Sequence, residues 1–275
     1  MVLHQAEHFG RLVVKDGFLY VLPNWLLFII IVGGSVSLAW VGTLFMRRRT
    51  KVPEDHAHNE VAGFIFAAVS VVYTVFLAFV AVTVWEQYVT AEQAAAQEAA
   101  ALVNVARTCD GFPEPARSEV HDLLREYAEI VISEEWKPTS PDAPDSEGSP
   151  HALGVINQVW TIYRSLPPTA VDSSTTTALA ELSQARAARL LANEANLPAP
   201  FWFVLVIGAA ITICFCLVLH MENVWLHAGM TALLTGLIAM CIWLIVAINH
   251  PLAGDLHISP NAFEYALHVI NSLPR

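Results

Sequence analysis

Charged side chains are scarce in this sequence. Only 14% of its 275 residues are Asp, Glu, Lys or Arg, whereas 55% are hydrophobic. An average soluble domain is about 25% charged, so the composition excludes an ordinary soluble protein and indicates a membrane protein. Cysteines are also few. Of the four present, Cys214, Cys216 and Cys241 lie in apolar runs and only Cys109 does not, so we expect no disulfide framework.

Signatures of enzymes are missing as well. The sequence has no Gly-rich phosphate loop after a strand pattern, no Gly-x-Ser-x-Gly, no metalloprotease His/Glu spacing and no Cys/His ligand set. His4 and His8 are four residues apart, and His227 lies one turn inside an apolar run, but none of them has companion ligands. We therefore predict that the protein is not an enzyme, has no metal site and needs no cofactor.

Long apolar runs are what the sequence does contain. Four uncharged runs are long enough to cross a bilayer core of about 30 Å as helices. They form two hairpins, and the spans are Trp25 to Met46, Val61 to Trp85, Phe201 to Leu219 and Val224 to Ile248. The sequence therefore predicts an all-α membrane protein with four transmembrane helices.

The second run continues past the membrane without a helix breaker. Residues 61–85 correspond to about 37 Å of helix, and an Ala-, Glu- and Gln-rich stretch follows until Gly111 and Pro113. We expect one continuous helix that leaves the membrane and enters a helical soluble domain. The predicted domains are 1–24 (N-terminal arm), 25–85 (first hairpin), 86–200 (soluble domain), 201–248 (second hairpin) and 249–275 (tail with a short amphipathic helix).

The soluble domain is strongly acidic. Residues 86–200 contain 17 Asp/Glu and 7 Lys/Arg, which accounts for −10 of the net charge of −11. Binding to phosphate backbones needs a basic surface, so we expect no nucleic acid partner. Apolar residues at helical spacing between Glu114 and Trp136 predict an amphipathic helix. The Pro-, Ser- and Asp-rich stretch 137–150 predicts a flexible loop.

A basic cluster follows the first span. Arg47, Arg48, Arg49 and Lys51 lie close together, and short basic loops favour the cytoplasmic side of a membrane. This pattern predicts an inner-membrane protein with loop 47–60 in the cytoplasm and domain 86–200 outside it. Binding of anionic lipid by the cluster is compatible with that placement.

The second span has two stripes at helical spacing. One is small and weakly polar and the other is bulky, and a small polar face either packs on a helix or lines water. If the span surrounds a pore, the candidate lining residues are Ser70, Tyr73, Thr74, Leu77, Val80 and Glu86.

Four stretches of the sequence are distinctive when taken together. They are His58 to Phe64, Glu98 to Leu102 with Arg107, Glu134-Glu135-Trp136, and the tail from Asn249-His250-Pro251 to Ser259-Pro260. These stretches resemble the bestrophin-like family of bacterial membrane proteins. The resemblance implies a distant similarity to bestrophins, which are pentameric anion channels with four spans, a cytosolic helical domain and a pore lined by the second span. The basic cluster favours the opposite side for the domain here, and acidic walls would repel chloride.

Two functional hypotheses follow. The first is a homo-oligomeric ion channel, a pentamer by family analogy, embedded in the lipid bilayer and conducting ions along the second span. The second is a non-conducting membrane scaffold or sensor whose acidic domain binds a partner or cations. The second is motivated by the absence of charged residues inside the predicted spans.

Overall fold

The structure is a computed structural model. It describes residues 22–49, 56–136, 148–167, 172–194, 196–219, 221, 223–252 and 255–273. Most of the predicted N-terminal arm (1–24), most of the predicted flexible loop (137–150) and Lys51 lie outside these residues. Every regular element within the described residues is a helix.

Eight helices are numbered in chain order. The first, α1, contains Asn24–Phe28, a π-helical turn Ile29–Gly33 and Gly34–Arg49. The others are α2 (His56–Thr108), α3 (Ala116–Ile130, continued by a π-helical turn Val131–Glu135), α4 (Pro150–Ser165), α5 (Ser173–Glu194), α6 (Ala199–Val218), α7 (Val224–Ile248) and α8 (Asn261–Ser272).

Helices α1, α2, α6 and α7 contain the apolar runs. Among the described residues, four helical stretches are long and apolar enough to cross a membrane. Helix α2 is 53 residues long and continues well beyond its apolar run, as its lack of Gly and Pro after Gly63 predicts. The predicted fold class, with four spans, two hairpins and a second span continuous with a soluble helix, is therefore confirmed.

Local sequence explains where three of the helices begin. Asn223 precedes α7, and its side chain accepts hydrogen bonds from the backbone of Trp225 and Leu226. Ser149 caps α4 in the same way by accepting from His151. Each cap satisfies backbone N–H groups that have no partner inside the helix. Prolines suit the first turn of a helix, and Pro198 and Pro200 stand where α6 begins.

The chain folds into two compact units. The membrane unit comprises Met1–Glu86 and Leu197–Asn249, and the acidic unit comprises Gln87–Asn196 and His250–Arg275. Helix α2 contributes to both. The C-terminal tail, predicted as a segment of its own, is part of the acidic unit, where the indole of Trp136 donates a hydrogen bond of 2.6 Å to the carbonyl of Ile258.

The acidic unit has its own hydrophobic core. Helices α2, α3, α4, α5 and α8 each contribute buried apolar side chains, including Leu102, Tyr127, Val155, Leu182 and Phe263. Ile258 and Leu252, in the segment before α8, also pack on this core. Burial of these side chains holds the five helices together, because apolar area removed from water stabilises a fold by about 25 cal/mol per Å².

Candidate pore helix and buried charge cluster

One face of the second span packs on other helices of the same chain. Tyr73, Leu77, Val80 and Val84 are buried and separated by four, three and four residues, which places them on one side of α2. We call these four residues the packing stripe. The Tyr73 hydroxyl donates a hydrogen bond of 3.1 Å to the Leu205 carbonyl on α6.

Close contact with α6 depends on a glycine. A Cβ atom at Gly208 would lie 2.4 Å from the Tyr73 ring, so no larger residue fits without a shift of one helix. Further along the same contact, the rings of Phe76 and Phe201 stack with 6.1 Å between their centroids. The packing stripe therefore lies in the interior of the membrane unit.

The opposite face of α2 is exposed in the single chain. Val71, Val75 and Val82 are 51–63% exposed, and Ala78 and Glu86 are exposed too. These five residues, separated by four, three, four and four positions, form a single stripe about 22 Å long, which we call the outer stripe. It lies about 200° around the helix from the packing stripe, because the two are offset by two residues.

The predicted lining residues fall on different faces. Thr74 and Glu86 are exposed and Ser70 is half-buried, so their role in a pore stays a prediction. Tyr73, Leu77 and Val80 belong to the packing stripe. These three side chains are buried in the single chain, and their role in a pore, like that of the other three, stays a prediction.

The basic cluster lies at the end of α1. Arg48 is exposed, and Nη1 of Arg47 donates a hydrogen bond of 2.6 Å to the Met221 carbonyl. The α6–α7 connection therefore lies on the same side of the membrane unit as the cluster. The side chain of Arg49 and all of Lys51 are outside the described residues.

The acidic unit buries two acids and two arginines together. Arg189 donates to Glu98 through Nε at 2.6 Å and also bonds Glu135, while Nη2 of Arg186 donates to Glu135 at 2.7 Å. The Tyr127 hydroxyl donates to Glu98 and accepts from Arg186 at 3.1 Å. We call these five residues the charge cluster. It joins α2, α3 and α5.

Aromatic rings and a glycine complete the surroundings of the charge cluster. The Arg189 guanidinium lies 5.5 Å from the centre of the Trp136 ring and 5.8 Å from that of Phe263. Gly148 has a positive φ of 67°, and a Cβ there would lie 2.6 Å from Nη2 of Arg186. A glycine is therefore required for both backbone conformation and space.

Electrostatics favour the charged forms of Glu135 and Arg189. Burial raises the pKa of the Glu135 carboxyl, but the charges of Arg189 and Arg186 outweigh burial, and the pKa lies below its usual value of 4.5. The pKa of Arg189 is raised, because Glu98 and Glu135 overcome the opposing effect of burial. Burial and the charge of Glu98 raise the pKa of Tyr127. Glu135 and Arg189 are therefore charged at neutral pH, and the Tyr127 hydroxyl is neutral.

Sequence reasoning did not predict this cluster. Glu98 and Glu135 stand out in the sequence only in the stretches that resemble the bestrophin-like family, and the sequence assigns them no partner. A usable signal was present, since Arg186 and Arg189 fall among the apolar residues Leu179, Leu182 and Leu190 of the same helix. An arginine on a buried face needs an acidic partner, although the pattern does not say which.

Known proteins resemble this chain in sequence profile and in fold. Residues 33–263 match the model of the Bestrophin-like domain family. Crystal structures of a bacterial bestrophin homolog from Klebsiella pneumoniae share the fold. The zinc-phased structure is 13% identical with a TM-score of 0.64, covering 90% of this chain and 99% of that one. A single-substitution variant is 15% identical with a TM-score of 0.63, covering 88% and 99%. No curated protein sequence matches.

Proposed function

Because the chain belongs to the Bestrophin-like domain family, we propose that it is an oligomeric ion channel of the cell membrane. The family resemblance implies a ring of five copies around a pore. Because the outer stripe is exposed on a single copy, a closed path along α2 requires neighbouring copies. The observation that carries the proposal is the bare outer stripe on a span whose other side is fixed to its own subunit.

The outer stripe is the proposed pore lining. In a ring of copies, each α2 turns toward the axis the side that does not pack on its own subunit. That side presents Val71, Val75, Ala78 and Val82 and ends at Glu86. Thr74, exposed beside this stripe, lies at its edge.

Two properties of the stripe suggest how such a pore works. Rings of valine form an apolar constriction that excludes water until it widens, which is one way in which channels gate. Glu86 ends the apolar run, and a ring of carboxylates there concentrates cations and repels anions. We therefore propose a gate at the valines and a preference for cations at the mouth, in contrast to the anion channels of the family resemblance.

Ion flux from liposomes tests the channel and its gate together. We expect purified wild-type protein to carry flux, and Val75→Ser to increase it because a hydroxyl eases wetting of the constriction. The matched control is Val41→Ser, which changes a valine on α1 that is 61% exposed, against 51% for Val75, and should leave flux unchanged. A well-folded oligomer without flux would contradict the channel and favour the non-conducting scaffold or sensor.

Selectivity is tested with potassium and chloride gradients. Glu86→Gln removes the proposed ring of charge and should shift permeability toward chloride. Glu92→Gln removes an exposed charge from another side of α2, at a position beyond the membrane unit, and serves as the control. Equal selectivity of wild type and Glu86→Gln would contradict a position of Glu86 at the mouth of the pore.

Membrane orientation is a separate part of the proposal. The basic cluster supports an inner-membrane protein with segment 47–60 in the cytoplasm and domain 86–200 outside it. A cysteine at the exposed position Gln97 tests this orientation. In intact cells an impermeant maleimide should label Gln97→Cys and not wild type. Labelling that appears only after the cells are permeabilised would place the domain in the cytoplasm.

A further inference from the structure

A cavity opens between three helices of the membrane unit. It has a volume of about 500 Å³ and is lined by α1, α6 and α7. The lining is predominantly apolar, with Ile31, Leu38, Ile213 and Ile242 among its side chains. Leu38 is 74% exposed, so the cavity opens to the outside of the unit. In a membrane-spanning unit such an opening faces hydrocarbon.

The cavity has the length of one lipid leaflet. Its lining on α1 extends from Ile31 to Gly42, which corresponds to about 16 Å along a helix. The hydrocarbon core of a bilayer is about 30 Å thick, so one leaflet contributes about 15 Å. At one end Gly42 lies against Leu217, where a Cβ on the glycine would be 3.7 Å from the leucine side chain. An acyl chain therefore fits this cavity in length and polarity.

Positive charge lies just beyond that end. Arg47 and Arg48 follow Gly42 by five and six residues, about 8 Å along the helix. The hydrogen bond from Arg47 to the Met221 carbonyl brings the α6–α7 connection beside them. An apolar cavity followed at this distance by two guanidinium groups matches a lipid whose acyl chain is joined to a phosphate. Guanidinium groups bind phosphate through charge and paired hydrogen bonds.

We propose that the cavity and the two arginines bind one anionic phospholipid, with an acyl chain between α1, α6 and α7 and the headgroup phosphate at Arg47 and Arg48. The site lies apart from the outer stripe and does not depend on the channel proposal. It gives the basic cluster a binding role in addition to its proposed effect on membrane orientation. Anionic lipids are abundant on the cytoplasmic leaflet, where the charge rule places this cluster.

Native mass spectrometry of the purified full chain measures lipid binding. The probes are phosphatidylglycerol and phosphatidylcholine with the same acyl chains. We expect phosphatidylglycerol to bind more tightly, and Arg48→Gln to weaken its binding about five-fold, which is the effect of one basic residue near an anionic headgroup. Arg107→Gln, at an exposed arginine of the acidic unit, is the matched control and should leave binding unchanged.

Filling the cavity tests the acyl-chain half of the site. Ala210 is exposed and lines the cavity, so Ala210→Leu fills the opening and should weaken the binding of both lipids several-fold. Ala68→Leu, at an exposed alanine on α2, is the control. Cys214 also lines the cavity and is exposed, so bound phosphatidylglycerol should slow its alkylation by N-ethylmaleimide.

Four results would overturn the proposal. Equal binding of the two lipids, with no effect of Arg48→Gln, would contradict a contact between the headgroup and the two arginines. Unchanged lipid binding by Ala210→Leu would show that the acyl chain does not lie in the cavity. Binding of phosphatidylglycerol that is no tighter than binding of inorganic phosphate would indicate an anion site without an acyl chain. Absence of bound lipid together with a changed oligomeric state in Ala210→Leu would assign the cavity to a neighbouring copy.

Discussion

Replacing Arg189 with methionine should remove a large part of the free energy of unfolding of the acidic unit. The change removes the hydrogen bonds that Arg189 makes to Glu98 and to Glu135, and Glu98 is completely buried. Glu135 then keeps the guanidinium of Arg186, whereas Glu98 keeps only the hydrogen bond from the Tyr127 hydroxyl. Removing one partner of a buried ion pair costs about 3–5 kcal/mol, because the other charge stays buried without compensation. Domains are stable by only about 5–15 kcal/mol, so a large share is lost.

Hydrogen exchange of the full-length protein in detergent measures this loss locally. A cost of about 3 kcal/mol or more speeds exchange of the most protected amides in α3 and α5 by about one-hundred-fold or more. Arg107→Met, at an exposed arginine, should change stability by less than about 0.5 kcal/mol. Adding Glu98→Leu to Arg189→Met should recover part of the loss, since both charges are then absent. Protection in Arg189→Met equal to that in Arg107→Met would refute the reasoning.

Three further outcomes are expected. The pKa of Glu135 is below 4.5 in the folded protein, so the unfolded chain binds protons more strongly. The contribution of the Glu135 charge to stability should be fully present above about pH 4.5 and should be lost as the pH drops through the folded-state pKa. Denaturation at several pH values should show this loss, and a smaller one in Glu135→Gln. Burial, with the charge of Asp110, raises the pKa of the Cys109 thiol to about 12, so N-ethylmaleimide at pH 8 should modify Cys109 only in denatured protein. Gly208→Ala should lower the thermal stability of the membrane unit by about 1–3 kcal/mol through overpacking against Tyr73, whereas Gly34→Ala, with open space around it, should not.

The spans could be predicted because their signals are local. An uncharged run of more than 18 residues marks a span, and the absence of Gly and Pro after the second run predicted that α2 continues. These features depend on neighbours in sequence alone. The fold class followed from them without knowledge of any tertiary contact.

The packing of the second span could not be predicted in the same way. The packing stripe and the outer stripe are offset by two positions along α2. By composition, the apolar residues of either stripe could face hydrocarbon, another helix or a dewetted pore. The choice depends on Gly208, which receives the Tyr73 ring from 135 positions away in sequence. The charge cluster has the same origin, since Arg189 finds Glu98 across 91 residues. A local pattern can show that a buried arginine needs a partner, but it does not show which distant residue supplies it.

Block of ion flux by a thiol reagent is the most direct test of the proposed pore. Val82→Cys places a thiol on the outer stripe, and Val41→Cys places one at an exposed position of α1. In liposomes, a charged, water-soluble methanethiosulfonate should stop flux through Val82→Cys and leave both Val41→Cys and wild type conducting. Undiminished flux through Val82→Cys after mass spectrometry has shown complete modification would contradict a pore along this face of the second span.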